Sequence, residues 1–248
     1  MYKPAALFLA LPFLAFSQLA EQFNPPRANC CLTGPAQSLA DSLQDWNQLG
    51  RYHSENEKLK SEPVPEGRVV FMGDSITDGW KLAKSFPDRP FVNRGISGQT
   101  TPQMLVRMFP DVIGLKPAAM IVLAGTNDIA GNTGPSTFVM ITEDLQAMTE
   151  LAQAHNIKVI LCSVMPVSDY GRKQTPKRPL ADILKLNAWI KNYAVKSGAI
   201  FADYHAATVD DKGMLKEGFS ADGLHPNAKG YDLLVPVAEA AIQKALGR

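Results

Sequence analysis

VVFMGDSITDGW, residues 69–80, begins as an unbroken apolar run and turns polar at Gly73, Asp74 and Ser75. Continuous apolar runs, as opposed to alternating ones, suit strands covered on both faces. Gly, Asp and Ser are residues that turns favour for backbone reasons. The stretch therefore reads as a buried strand ending in a turn. Ser75 is then either a nucleophile held at the strand's end or one more small turn residue. Taken alone, the stretch leaves both readings open, because a base, an orienting acid and oxyanion donors must come from elsewhere.

The pattern repeats along the chain. Short apolar runs at 68–72, 91–93, 119–124, 158–164 and 199–202 alternate with amphipathic stretches at 79–86, 101–109, 136–155, 180–197 and 227–246. Five such strands separated by helices predict an α/β domain, a parallel sheet with helices on both faces. In an open parallel sheet, ligands bind beyond the carboxyl ends of the strands. The candidate segments are therefore 73–75, 94–98, 125–128, 165–169 and the loop ending near His225. Residues 18–40, rich in Pro, Asn, Gln, Ala and Ser without periodicity, read as a loosely ordered leader. From Asp41, apolar residues at helical spacing predict one or two helical segments, weakened at Gly50 and followed by the linker SEPVPEG.

The 248 residues suffice for a sizeable core, and 46% hydrophobic with 20% charged residues is an ordinary globular composition. Twenty-five basic against 24 acidic residues provide no basic face for nucleic acid and no general attraction to anionic membranes. The N-terminus has Lys3, an apolar stretch over residues 5–16 interrupted by Pro12, and small residues at Ala15 and Ser17. Too short for a spanning helix, it reads as an export signal cut before Gln18, giving a secreted or periplasmic product. The organisation expected is a signal over 1–17, a leader and helical extension over 18–66, and the main domain over 67–248. Cys30, Cys31 and Cys162 form neither a disulfide framework nor a zinc spacing.

A serine hydroxyl normally needs a histidine to take its proton, and the chain has four. His155 ends a helical pattern, where a structural role suffices. His53 falls on the polar side of the N-terminal helical stretch. His205 follows the fifth strand without an obvious partner. His225 lies in SADGLHPNAKGY, just before the last helix, with Asp222 three residues upstream. A turn through Gly223 can fold that carboxylate onto one ring nitrogen and leave the other facing Ser75. A helix-initiation loop with Pro226 as an early helical residue explains the same spacing. For the oxyanion, NRGISGQTT offers Gly98, whose backbone N–H can approach a substrate closely, and VLAGTNDIAG offers the amide of Asn127. Each also has an ordinary reading, a turn for Gly98 and a helix cap for Asn127. All four residues fall at the sheet edge that the architecture selects.

The ordered set GDS, SGQT, GTND and DGLH resembles the SGNH hydrolases, also called GDSL-type esterases, from about Arg68 to the C-terminus. The name-giving residues fall on Ser75, Gly98, Asn127 and His225. Where the family usually has Leu after GDS, this chain has Ile76, a volume-conserving change. The resemblance implies a three-layer α/β/α sandwich of flavodoxin-like topology with a five-stranded parallel sheet. It also implies serine ester hydrolysis without metal or other cofactor. Ser75, His225 and Asp222 would form the triad, and the backbone N–H of Ser75 would join Gly98 and Asn127 in the oxyanion hole.

The substrate is less legible. Short acyl or O-acetyl esters of carbohydrates, lysophospholipids, thioesters and aryl esters all fit, and a non-catalytic carbohydrate-binding domain is the contrasting reading. The loop MPVSDYGRKQTPKRP carries Arg172, Lys173, Lys177 and Arg178. Its mixed charge and proline suit a solvated loop better than a lip reading an anionic leaving group. Trp80 either shapes an acyl pocket or packs beneath it. No stable membrane insertion is expected, and the oligomeric state is not readable.

Overall fold

The structure, a computed structural model, describes residues 33–248. The export pattern of residues 1–17, and Cys30 and Cys31, lie outside the described residues. The chain divides into two compact units, residues 1–44 and 45–248. In the first, the described part is helix α1 (Thr33–Gln44). The sequence reading placed residues 33–40 in a loose leader, but Ala, Leu and Gln favour a helix there and Pro35 falls in its first turn, where proline is tolerated. Gln37 also donates to Asp41 Oδ1 at 2.8 Å, one turn on.

The second unit is built on strands β1 (Val69–Gly73), β2 (Phe91–Gly95), β3 (Ala119–Leu123), β4 (Lys158–Cys162) and β5 (Ile200–Ala202). All pair in parallel in the order β2-β1-β3-β4-β5. Around them run helices α2 (His53–Ser61), α3 (Ser75–Asp78), α4 (Leu82–Ser85), α5 (Thr101–Val106), α6 (Met108–Asp111), α7 (Thr126–Ile129), α8 (Phe138–Ala154), α9 (Leu180–Ser197), α10 (Tyr204–Thr208) and α11 (Ala228–Leu246). This is the expected α/β architecture with flavodoxin-like strand order.

Successive strand residues point to opposite faces, and both faces are buried. Val70, Met72, Met120 and Val122 pack with Leu145 of α8 and Leu186 of α9. Val69, Phe71, Ile121 and Leu123 pack with Leu234 and Ile242 of α11. Truncating a core leucine such as Leu145 to alanine would cost about 2–5 kcal/mol. Trp80 is 3% exposed. It stacks on Tyr231 and meets Phe71 edge-on, so it packs beneath the site.

Among the boundaries that depart from the sequence reading, three have a clear physical cause. Of the helix expected over 79–86 only the short α4 forms, and a separate helix, α3, precedes it, started at Ser75 by Asp74, which accepts the Ile76 N–H. β2 runs on to Gly95 through Arg94, a charge that broke the apolar run yet is fully buried. Arg94 Nε donates to Asn56 Oδ1 at 2.9 Å, and Asn56 Nδ2 donates to Asp111 at 2.5 Å, so α2 is tied to the sheet through buried polar groups. β4 ends at Cys162 instead of 164, because the Val164 N–H turns to the Asn187 side chain.

Candidate active site

β1 lies between β2 and β3, where the strand order reverses, and the crevice beyond such a point is where ligands bind in open α/β sheets. Ser75 follows β1, Gly98 follows β2, and Asn127 follows β3. Ser75 is half-buried as the first residue of α3, and Tyr231 of α11 braces that turn by donating to Ile76 O at 2.8 Å.

The loop before α11 reaches the same place. His225 Nε2 lies 2.8 Å from Ser75 Oγ, and His225 Nδ1 lies 2.7 Å from Asp222 Oδ2. An ionised carboxylate only accepts, so Nδ1 carries the proton and Nε2 presents its lone pair to the hydroxyl. Asp222 Oδ1 accepts the N–H groups of Leu224 and His225, at 3.0 and 2.9 Å, and the hydroxyl of Ser220 at 3.1 Å. Partial burial would raise its pKa, but the hydrogen bonds, that from the His225 N–H foremost, outweigh it. They hold the carboxyl well below the usual range. Gly223 makes the turn at φ +80°, and a Cβ there would stand 2.2 Å from Ser168 O. The alternative reading of Pro226 as helical does not hold. α11 begins at Ala228, capped by Asn227, whose side chain accepts the Gly230 N–H at 3.1 Å.

Gly98 is exposed, with φ +83° and open space where a side chain would be. Among the described residues, the N–H groups of Ser75 and Gly98 meet no protein acceptor. Asn127 sits in the first turn of α7, nearly buried, and donates one amide hydrogen to Gln99 O at 3.0 Å. The other hydrogen of Nδ2 is left to donate. A hydroxyl, an imidazole and a carboxylate are thus in contact at the sheet's carboxyl edge, on the same edge as the loops that carry Gly98 and Asn127. Among the described residues no group of three or more His, Cys, Asp or Glu could hold a metal ion. No helix among them is long and apolar enough to cross a membrane.

A family model for the GDSL-like lipases and acylhydrolases matches residues 71–233. The chain belongs to that family. Among solved structures, a proposed acylhydrolase from Bacteroides fragilis is 40% identical, with a TM-score of 0.76 over 82% of this chain and 99% of its own. An acetylxylan esterase from Xylanibacter ruminicola is 25% identical over 75% of this chain. Esterase TesA from Pseudomonas aeruginosa is 26% identical over 68% of this chain and 84% of its own length. The chain spans 45% of the length of the acetylxylan esterase. The domain is that of a carboxylic ester hydrolase.

In this GDSL-type domain the other three histidines stand apart from the hydroxyl–imidazole–carboxylate chain. His155 caps α8 and meets Phe109 edge-on, His53 is exposed at the start of α2, and His205 gives its backbone N–H to Ser163 Oγ. The loop between β4 and α9 is more than the solvated segment its composition predicts. Arg172, Lys173 and Lys177 are exposed, but Gln174 and Arg178 are buried. Asp169 folds the loop by accepting the N–H groups of Gln174 and Thr175 at 2.8 and 3.0 Å. By residue type Arg178 does not differ from its exposed basic neighbours. Its distinguishing signal was position, one residue before the proline that opens α9 at the sheet's carboxyl edge.

Proposed function

We propose that the protein hydrolyses carboxylic esters through an acyl-enzyme on Ser75. His225 Nε2 takes the Ser75 proton as Oγ attacks the ester carbonyl, and Asp222 stabilises the imidazolium that forms. The negative oxygen of the tetrahedral intermediate is held by the N–H groups of Ser75 and Gly98 and by the Asn127 amide. His225 then protonates the departing alcohol, and in the second half it deprotonates a water that attacks the acyl-serine. The observation that carries this reading is the unbroken chain from Ser75 Oγ through His225 to Asp222, with contacts of 2.8 and 2.7 Å.

For the substrate, short acyl or O-acetyl esters of carbohydrates are favoured. The acetylxylan esterase among the relatives points that way. So does the openness of the crevice, where Gly98 is exposed and the His225 side chain is 44% exposed. Such a crevice admits a bulky alcohol more readily than it sheathes a long chain. Residues 1–17 would direct export, and N-terminal sequencing of the released protein should begin at Gln18.

Treating the purified protein with a fluorophosphonate and mapping the adduct tests the nucleophile. Labelling is expected at Ser75, and a folded protein left unlabelled there overturns the proposal. Asn127→Ala should lower kcat about 10²–10³-fold, the cost of one oxyanion donor. Nitrophenyl esters of increasing chain length, with acetylated xylan and a lysophospholipid, then rank substrates. Turnover is expected to be highest on the acetyl esters.

A further inference from the structure

The buried end of the β4–α9 loop reaches both halves of the proposed machinery. Arg178, 6% exposed, donates from Nη2 to Asn127 Oδ1 at 3.2 Å, from Nε to Thr126 Oγ1 at 3.1 Å, and from Nη1 to Gln174 Oε1 at 2.9 Å. Gln174 Nε2 donates in turn to the backbone carbonyl of Asp222 at 2.9 Å. Two side chains thus link the amide beside the crevice to the loop that carries the acid and base.

We propose that Arg178 is a positioning residue for ester hydrolysis, setting the Asn127 amide so that a hydrogen of Nδ2 faces the developing oxyanion. The inference rests on the oxyanion role proposed above for Asn127. An amide side chain is nearly symmetric in shape, and which end faces the crevice depends on its partners. A guanidinium has no acceptor, so the end of Asn127 facing Arg178 must be the oxygen. A backbone carbonyl has no donor, so the end facing Gln99 O must be the nitrogen. Both constraints give the same orientation, and they leave one N–H of Nδ2 free. A charge-assisted hydrogen bond to the amide oxygen also draws electron density from the nitrogen, which makes the free N–H a stronger donor. The arginine's own burial is eased by these acceptors and by the carboxylates of Asp74 and Asp222 nearby. An arginine held this way is expensive to bury for packing alone.

The test is a double-mutant cycle on the full chain, with kcat and KM measured on nitrophenyl acetate. Arg178→Met keeps much of the volume and removes every donor. It should lower kcat about 10- to 100-fold, the worth of a hydrogen bond to a charged group, with KM changed less than about threefold. Arg178→Lys, which keeps the charge and a single donor nitrogen, should recover part of that loss. In an Asn127→Ala background, Arg178→Met should cost less than about twofold, because the group it acts through is gone. Should Arg178→Met fail to fold, Thr126→Val keeps the arginine and loosens its grip. Its few-fold loss in kcat should likewise vanish without Asn127. Equal losses in both backgrounds, or a folded Arg178→Met with unchanged kcat, would overturn the inference while leaving the esterase reading intact. Full kcat in Asn127→Ala itself would remove the oxyanion reading and this inference with it.

Discussion

Two turns at the sheet's carboxyl edge each place an aspartate beside a residue of the proposed triad, and they treat it in opposite ways. Asp74 directly precedes Ser75 and is fully buried. Its Oδ1 accepts the Ile76 N–H at 2.9 Å, while Oδ2 has no hydrogen-bond partner. Burial pushes its carboxyl up to about 6, with the Ile76 bond and the charge of His225 opposing. Asp222 is 41% exposed, yet four donors hold it ionised far into acid. The difference lies in donors supplied against water removed. Adjacency to Ser75 in sequence therefore says little about chemistry. The carboxylate suited to orienting an imidazole is the one whose charge the local backbone stabilises.

The largest break in that contrast should come from Asp222→Asn, which keeps the shape but lets the ring adopt the wrong tautomer. A loss of about 10⁴-fold in kcat is expected, as for the acid of a serine–histidine–aspartate triad. Nitrophenyl acetate turnover checks it, and a loss below tenfold would remove Asp222 from the mechanism. Next in size is Gly223→Ala, which attacks the turn that brings the carboxylate round. The residue combines φ +80° with a Cβ position 2.2 Å from Ser168 O. Left-handed strain and overpacking together should cost about 2–5 kcal/mol in urea unfolding. An unchanged midpoint would mean that the two loops part easily and that the Asp222 turn is not held by its contact with residue 168.

How much of this was legible follows from what each residue contributes locally. Ser75, Gly98, Asn127 and His225 stood out because each follows an apolar run or precedes a helical one, and because each is a residue type with distinctive chemistry. Strand positions were legible for the same reason, since sheets covered on both faces leave apolar runs. What failed were features set by distant parts of the chain. Arg94 interrupts the apolar run of β2, and Asn56 on α2, reached through the fold, gives it a buried partner. Arg178 looks like Lys177 in sequence, and acceptors at Thr126, Asn127 and Gln174 make it a buried group. The start of α3 at Ser75 depended on an Asp74 cap that reads equally well as a turn.

The smallest effect sharpens the contrast by separating the two aspartates on the pH axis. Asp74 has a folded-state pKa of about 6, above the unfolded value of about 3.9. The folded protein therefore binds its proton more tightly. The stabilisation this gives is complete below about pH 4 and is lost as pH rises through about 6. Asp222 has the opposite sign: its depressed pKa adds stability above about pH 4 that is lost only as pH falls below that. Between pH 5 and 7, then, Asp74 contributes a falling slope and Asp222 contributes none. Asp74→Asn keeps an oxygen to accept the Ile76 N–H and removes the titration. Wild-type stability relative to this variant should decline by about 1 kcal/mol from pH 5 to pH 7, measured by urea unfolding. A flat result for Asp74→Asn would mean that water or Arg178 reaches Oδ2 in solution, which would erase the difference between the two turns.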